Sequence, residues 1–192
     1  ISRSYSIANS PDQEGVLELH IRKRENGVCS EMIFGAEPKI KEKGIVRVKG
    51  PLGTFTLQKD SDKPIVLLAT GTGYAPIRSI LLDLIHQNSE RRVHFYWGAR
   101  QQEDLYALEE AEALIGRLKN AKFSPVLSKP DSGWKGENGY VQNVAAQNYS
   151  DLSQYEVYAC GSPAMTESAQ SLLTQECALP EDAFFCDAFS PA

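Results

Sequence analysis

The chain has 192 residues, 42% of them hydrophobic and 23% charged, and carries a net charge of −5. That length buries a real core, in one domain or in two small ones. The negative balance argues against a general nucleic-acid or anionic-membrane binder, and no apolar run approaches the length of a transmembrane segment.

The first 60 residues read as antiparallel β structure cut by Gly, Pro and Asn. Residues 16–23, VLELHIRK, alternate apolar and polar side chains as a half-buried strand does. Residues 45–49, IVRVK, alternate too, and residues 54–57 read as another short strand. The character changes near residues 59–63, KDSDK, which reads as a linker. From there strands and helices alternate. Strands are expected at 64–69, 93–97, 122–127, 156–159 and 184–189. Helices are expected at 75–87, 103–119, 140–147 and 163–177. In the second of these helices Leu105, Leu108, Ala111 and Leu114 recur at helical spacing. The expected class is α/β, with a five-stranded parallel sheet covered by helices on both faces.

The densest signal is residues 65–76, IVLLATGTGYAP. Four apolar residues in a row suit a strand buried on both faces. Gly71-Thr72-Gly73 then lets a backbone or a phosphate come close, and Pro76 stands where a helix begins. Strand, glycine turn and helix start form the geometry that holds a pyrophosphate; tight packing of strand on helix calls for glycine as well. Pro76 replaces the third glycine of G-x-G-x-x-G, which favours a dinucleotide fold other than the usual Rossmann one.

Three further segments are candidates. In Arg3-Ser4-Tyr5-Ser6, a guanidinium suits a phosphate, and Tyr5 shares a face with Arg3 on an extended strand. Such a tyrosine can pack on a flavin ring, and Ser6 can offer a hydroxyl to it. Alone, the tetrapeptide reads rather as a surface strand with a partly buried Tyr. In Asn26-Gly27-Val28-Cys29-Ser30, a glycine turn is followed by Ser at a helix start, which would aim N–H groups and a hydroxyl at an anion; an ordinary N-cap after a hairpin turn reads the same way. Cys160-Gly161-Ser162-Pro163-Ala164-Met165 follows a strand, so Cys160 falls at the carboxyl edge of the sheet, where open α/β folds bind ligands. No His or Asp pairs with Cys160 to make it a nucleophile. The spacing of His20, His86 and His94 suggests neither a zinc site nor a triad, so no metal is expected. Cys29, Cys160, Cys177 and Cys186 form no C-x-x-C pair and read as reduced thiols of a cytoplasmic protein.

RSYS, NGVCS, GPLGTF, GTGYAP, YWGAR, CGSPAM and DAF, in that order, resemble the ferredoxin–NADP reductase superfamily. They are most similar to bacterial NAD(P)H-flavin reductases, CDP-6-deoxyhexose reductases and oxygenase reductase components. The resemblance covers essentially the whole chain. It implies an FAD-binding β-barrel in residues 1–60 and an NAD(P)-binding α/β domain in residues 61–192. In the family the R-x-Y-S motif lies partway through the barrel. Here it starts at Arg3, so the resemblance implies a partial barrel whose N-terminal strands are missing, and an upstream ferredoxin domain is compatible with it.

The resemblance also assigns residues. Arg3 and Ser4 open the flavin motif, with Arg3 at the phosphates, Tyr5 on the ring and Ser6 near N5. His20, Ile21 and Arg22 would run along the ribityl and adenosine side. Gly27, Val28, Cys29 and Ser30 would receive the FAD pyrophosphate. Gly71, Thr72, Gly73 and Pro76 would form the nicotinamide-dinucleotide loop. Cys160, Gly161 and Met165 would shape the nicotinamide pocket, and Phe189 would lie close to the flavin. Arg100 could pair with the 2′-phosphate of NADPH, whereas Asp104 would favour the ribose hydroxyl of NADH. The implied reaction is hydride transfer from NADH or NADPH to FAD, with Ser6, Thr72 and Cys160 at the reacting atoms. The acceptor would be an iron–sulfur domain or protein, or free flavin; a non-catalytic NAD(P) sensor is the third reading.

Overall fold

The structure is a computed structural model and describes residues 2–189. The outermost ends of the two expected domains, residues 1 and 190–192, lie outside the described residues.

The second lobe is built on a six-stranded, all-parallel sheet. Its strands are β1 (Ile65–Thr70), β2 (Val93–Ala99), β3 (Ala121–Leu127), β4 (Glu137–Asn138), β5 (Glu156–Gly161) and β6 (Phe184–Ala188), in the spatial order β4-β3-β2-β1-β5-β6. The expected five strands become six because the short β4 adds two residues beside Val126 and Leu127, too few to leave a period in the sequence. The central β1 alternates between two cores. Ile65, Leu67 and Ala69 face α2 (Tyr74–His86) and α3 (Leu108–Gly116). Val66 and Leu68 face α4 (Val141–Asn148) and α5 (Pro163–Glu176). A strand with helices on both sides must be apolar on both faces, hence the unbroken run.

The helix expected over 103–119 is shorter. Gln102–Asp104 form a 3-10 turn closed by reciprocal capping between Gln101 and Asp104. Leu105 then leaves the helical region, at φ −82° and ψ 64°, and is buried. The apolar spacing continues through this break because Leu105 serves the core from outside the helix.

The N-terminal lobe departs most from expectation. No strand forms over residues 16–23, 45–49 or 54–57. Among the described residues, pairing is limited to a single antiparallel bridge, Ile7 with Leu19, beside a hydrogen bond from Ala8 N to Glu18 O at 2.9 Å. Alternation makes an amphipathic face, but a ladder needs a neighbour in register. Among the described residues the 41–50 segment has none and is exposed throughout, Ile45, Val46 and Val48 included. A short helix, α1 (Val28–Phe34), follows the Asn26-Gly27 turn. Ser30 is inside its first turn, not at the N-cap, which is Gly27; the Ser30 hydroxyl instead accepts a hydrogen bond from Arg24 N at 2.8 Å.

The linker is fastened at the amino end of the sheet. Arg91 donates to Lys63 O at 2.6 Å and to Glu156 Oε2 at 2.7 Å. The Tyr158 hydroxyl donates to the same carboxylate and accepts from Gln58 N. Burial works against the charge on Glu156, but hydrogen bonds from Ser61, Arg91 and Tyr158 hold its carboxyl below the usual range.

Candidate functional site

The chain leaves β1 toward β2 on one side, while β5 lies on the other. The loops after β1 and β5 therefore diverge and leave a crevice at the carboxyl ends of the two strands. Open α/β sheets bind ligands at such a reversal of strand order. Gly71–Gly73 form a 3-10 turn there, leading directly into α2, with Pro76 the third residue of the helix. A proline is tolerated in the first turn, where backbone N–H groups have no partner within the helix.

The two loops are locked to one another. Ser162 N donates to Thr70 Oγ1 at 3.2 Å. Gly161 has φ +142°, and a side chain there would overlap Thr70, so only glycine fits. Trp97, from β2, donates from Nε1 to Gly71 O at 3.1 Å and stacks on Tyr74 with ring centroids 4.3 Å apart. Space over Gly71 is open: a Cβ built there meets nothing within 4 Å. A glycine loop packed from below and open above fits a dinucleotide phosphate.

The N-terminal motif comes to the same end of the sheet. The Ser6 hydroxyl donates to Asp187 Oδ2 at 3.0 Å, and Asp187 lies in register with Cys160 on the neighbouring strand. Phe189 N donates to Gly161 O at 2.7 Å, which seats this aromatic beside the β5 loop. Tyr5 reaches the 27–30 turn through a hydrogen bond from its hydroxyl to Cys29 Sγ at 3.1 Å. Burial first, and then the Cys29 contact, push the Tyr5 hydroxyl up to about 12. Two segments expected to touch flavin are thus adjacent, and one of them touches β6, the neighbour of the strand expected to meet nicotinamide. Arg3 and Ser4 are exposed, and Arg3 Nη1 donates to the neighbouring Ser2 O at 2.8 Å. An exposed guanidinium, an aromatic ring and a half-buried hydroxyl along one extended segment are side chains of the kind that fit a flavin.

Other expected residues take different places. Cys160 is fully buried, and burial, followed by the charge of Asp187, pushes its thiol up. It is a neutral side chain of the core beneath the strand end. Met165 is buried in the core under α5; its N–H completes the Ser162 cap, so it shapes the loop from behind. Arg22, assigned to the flavin side, stands 3.8 Å from Asp104, assigned to the coenzyme ribose. His20 turns to the seam between the lobes, where Nδ1 lies 2.7 Å from the Tyr106 hydroxyl. Ile21 is half-buried beside it, and Arg100 is exposed at the end of β2. An open groove of about 790 Å³ continues from that end of β2, lined by Glu103, Tyr106, Glu109, Glu110 and Asp131.

Asp187, Thr70 and Trp97 join the site without having been singled out. Asp187 stands in the same DAF segment that pointed to Phe189, and Trp97 in YWGAR. Nothing in Thr70 marks it, because its role depends on a strand 90 residues away.

Known proteins fit this geometry. A family model described as "Oxidoreductase FAD-binding domain" matches residues 1–57, and one described as "Oxidoreductase NAD-binding domain" matches residues 67–171. The chain is 43% identical over 190 residues to the CDP-6-deoxy-L-threo-D-glycero-4-hexulose-3-dehydrase reductase of Yersinia pestis, covering 99% of this chain and 56% of that protein. It is 33% identical to the NAD(P)H-flavin reductase of Vibrio harveyi, covering 98% of this chain and 80% of that one. It therefore spans little more than half the length of the dehydrase reductase. The Amycolatopsis cytochrome P450 reductase GcoB superposes with a TM-score of 0.83 at 27% identity, over 97% of this chain and 56% of that one. With both domain types matched along its length and folded around one crevice, the chain belongs to the oxidoreductases that join an FAD-binding domain to an NAD-binding domain.

Proposed function

We propose that this protein takes a hydride from NAD(P)H onto FAD and passes electrons to an iron–sulfur centre, or to an oxygenase or dehydrase partner. The observation that carries the reading is the Ser6–Asp187 hydrogen bond at 3.0 Å, which brings the flavin motif to the strand ends that frame the dinucleotide crevice. FAD, when bound, supplies the hydride acceptor and the store of electrons. The protein's part is to hold two rings face to face, at about 3–3.5 Å between reacting atoms, and to exclude water.

Within that scheme Asp187 orients the Ser6 hydroxyl toward the flavin. Thr72 and the buried Cys160 give the nicotinamide a neutral pocket, Phe189 closes it, and Gly71 and Gly73 take the coenzyme phosphates. Arg3 and the 27–30 turn take those of FAD. Domain limits of 1–60 and 61–192 belong to the same proposal, with the fastened linker between them. So does a cytoplasmic setting, which suits the four free thiols. Between coenzymes, the groove beyond β2 favours NADH, because its carboxylates would repel a 2′-phosphate.

The likeness to an NAD(P)H-flavin reductase, of whose length the chain spans 80%, supports a second acceptor, free flavin. One experiment tests the main reading. The visible spectrum of the purified protein, supplied with FAD, is recorded anaerobically before and after NADH. Flavin bands that NADH bleaches are expected. No bound flavin, or bands that persist, would sink the reading. Adding free flavin to the reduced protein then separates the acceptors: rapid multiple turnover favours the second.

A further inference from the structure

We propose that Arg78 is a positioning residue for hydride transfer: a clamp that sets how closely the flavin lobe stands over the coenzyme crevice. The inference rests on the functional reading above.

Arg78 lies on α2 one turn beyond Tyr74, where the glycine loop becomes helix. Its side chain is 12% exposed. The guanidinium reaches three segments at once. Nη1 donates to Ala8 O at 2.8 Å and to Glu18 Oε2 at 3.0 Å, both in the N-terminal lobe. Nε donates to Glu110 Oε1 at 2.9 Å, on α3. Ser79, the next residue, donates from Oγ to Asn9 O at 2.8 Å. Burial works against the charge on Arg78, but Glu110 and Glu18 hold its guanidinium above the ordinary value. A cation so enclosed and bonded through a planar fork is a fixed joint, unlike an exposed ion pair.

The joint is part of a longer seam. Glu110 Oε2 accepts from the Tyr74 hydroxyl at 3.0 Å, and Tyr74 stacks on Trp97, which bonds the glycine loop. On the other side, Glu18 Oε1 lies 3.2 Å from His20 Nε2, and His20 meets Tyr106. The N-terminal lobe is therefore held on both sides of the crevice. Ser6 holds it on the β6 side, and Arg78, with Ser79 and the His20–Tyr106 pair beside it, holds it on the α2 side. Arg78 is the contact that joins Ala8, Glu18 and Glu110 at one point, so its removal loosens the α2 side and lets the lobe tilt toward β6. Hydride transfer is the step that feels a tilt, because about 1 Å of misplacement costs on the order of 100-fold in rate, whereas binding of either cofactor tolerates it.

The test uses FAD-loaded protein, wild type against Arg78→Met and Arg78→Lys. Stopped flow gives the rate of flavin bleaching at saturating NADH, titration gives the FAD affinity, and hydrogen exchange reads the Ala8 and Glu18 amides, which close the local bridge. Arg78→Met is expected to bleach at least ~10-fold more slowly, with FAD affinity within about 3-fold of wild type and with faster exchange at both amides. Arg78→Lys, which keeps the charge but not the fork, should fall between. Wild-type bleaching or wild-type exchange in Arg78→Met overturns the proposal. If that variant does not fold, Glu18→Gln decides, because it loosens one arm while Arg78 keeps Glu110; the same pattern in weaker form supports the clamp, and no change overturns it. A wild-type protein that NADH does not bleach sinks the functional reading and the hydride-transfer role with it, while the exchange measurement still shows whether Arg78 joins the lobes.

Discussion

Thr72 stands in the loop after β1 and Gly161 ends β5, and their substitutions separate chemistry from architecture. Thr72 is half-buried at the turn, free of the contacts that hold the loops together. Thr72→Val is expected to slow flavin bleaching by NADH about 10-fold, the scale of a displaced reactant, with FAD affinity little changed. Equal loss of both would remove Thr72 from the reacting atoms. Gly161→Ala acts on the frame. It forces a left-handed backbone at φ +142° and an overlap with Thr70, a combined cost of about 2–4 kcal/mol. Urea denaturation should show that loss whether or not coenzyme is present.

The elements carry a separate signal on the far face of the sheet. On β2, His94 lies 3.0 Å from the hydroxyls of Tyr149, Tyr96 and Ser124. Burial, and then the charge of Lys122, hold its imidazole down to about 4. The unfolded chain's imidazole titrates near ~6.5, so between those values the unfolded state takes up a proton that the folded state refuses. Stability from this group is complete above pH ~6.5 and drains as pH falls toward about 4, by about 3 kcal/mol in all. Unfolding free energies from urea titrations should fall from pH 7 to 4.5, and in His94→Asn they should fall less, by most of that increment. The central strands β1, β2 and β5 were legible in the sequence because each is buried on both sides by its own neighbours and helices. The break at Leu105 was not, because its apolar spacing continues while its backbone turns. Nor was the state of residues 16–23 and 45–49, since alternation describes one side of a pairing and says nothing of the other. Site residues followed the same rule. Glycines at sharp turns announced themselves, whereas Asp187, Thr70 and Arg78 acquire meaning only from partners far along the chain.

Taken whole, the molecule is a tightly packed parallel sheet bearing a lobe with little pairing of its own. Residues 41–50 are exposed throughout, and residues 39–49 hold five trypsin sites, at Lys39, Lys41, Lys43, Arg47 and Lys49. Trypsin is expected to cut there first, because cleavage follows local opening and exposure. Mass spectrometry should then find a resistant product that retains β1 to β6; first cleavage within the sheet would contradict this account of where the fold is firm. One contact has a practical consequence. Of the two tryptophans, Trp97 is fully buried against the glycine loop and Trp134 is partly exposed. The indole bonded to Gly71 O makes the protein its own fluorimeter: blue-shifted emission comes from the floor of the crevice, and a ligand that presses on the loop from above changes it without any label attached.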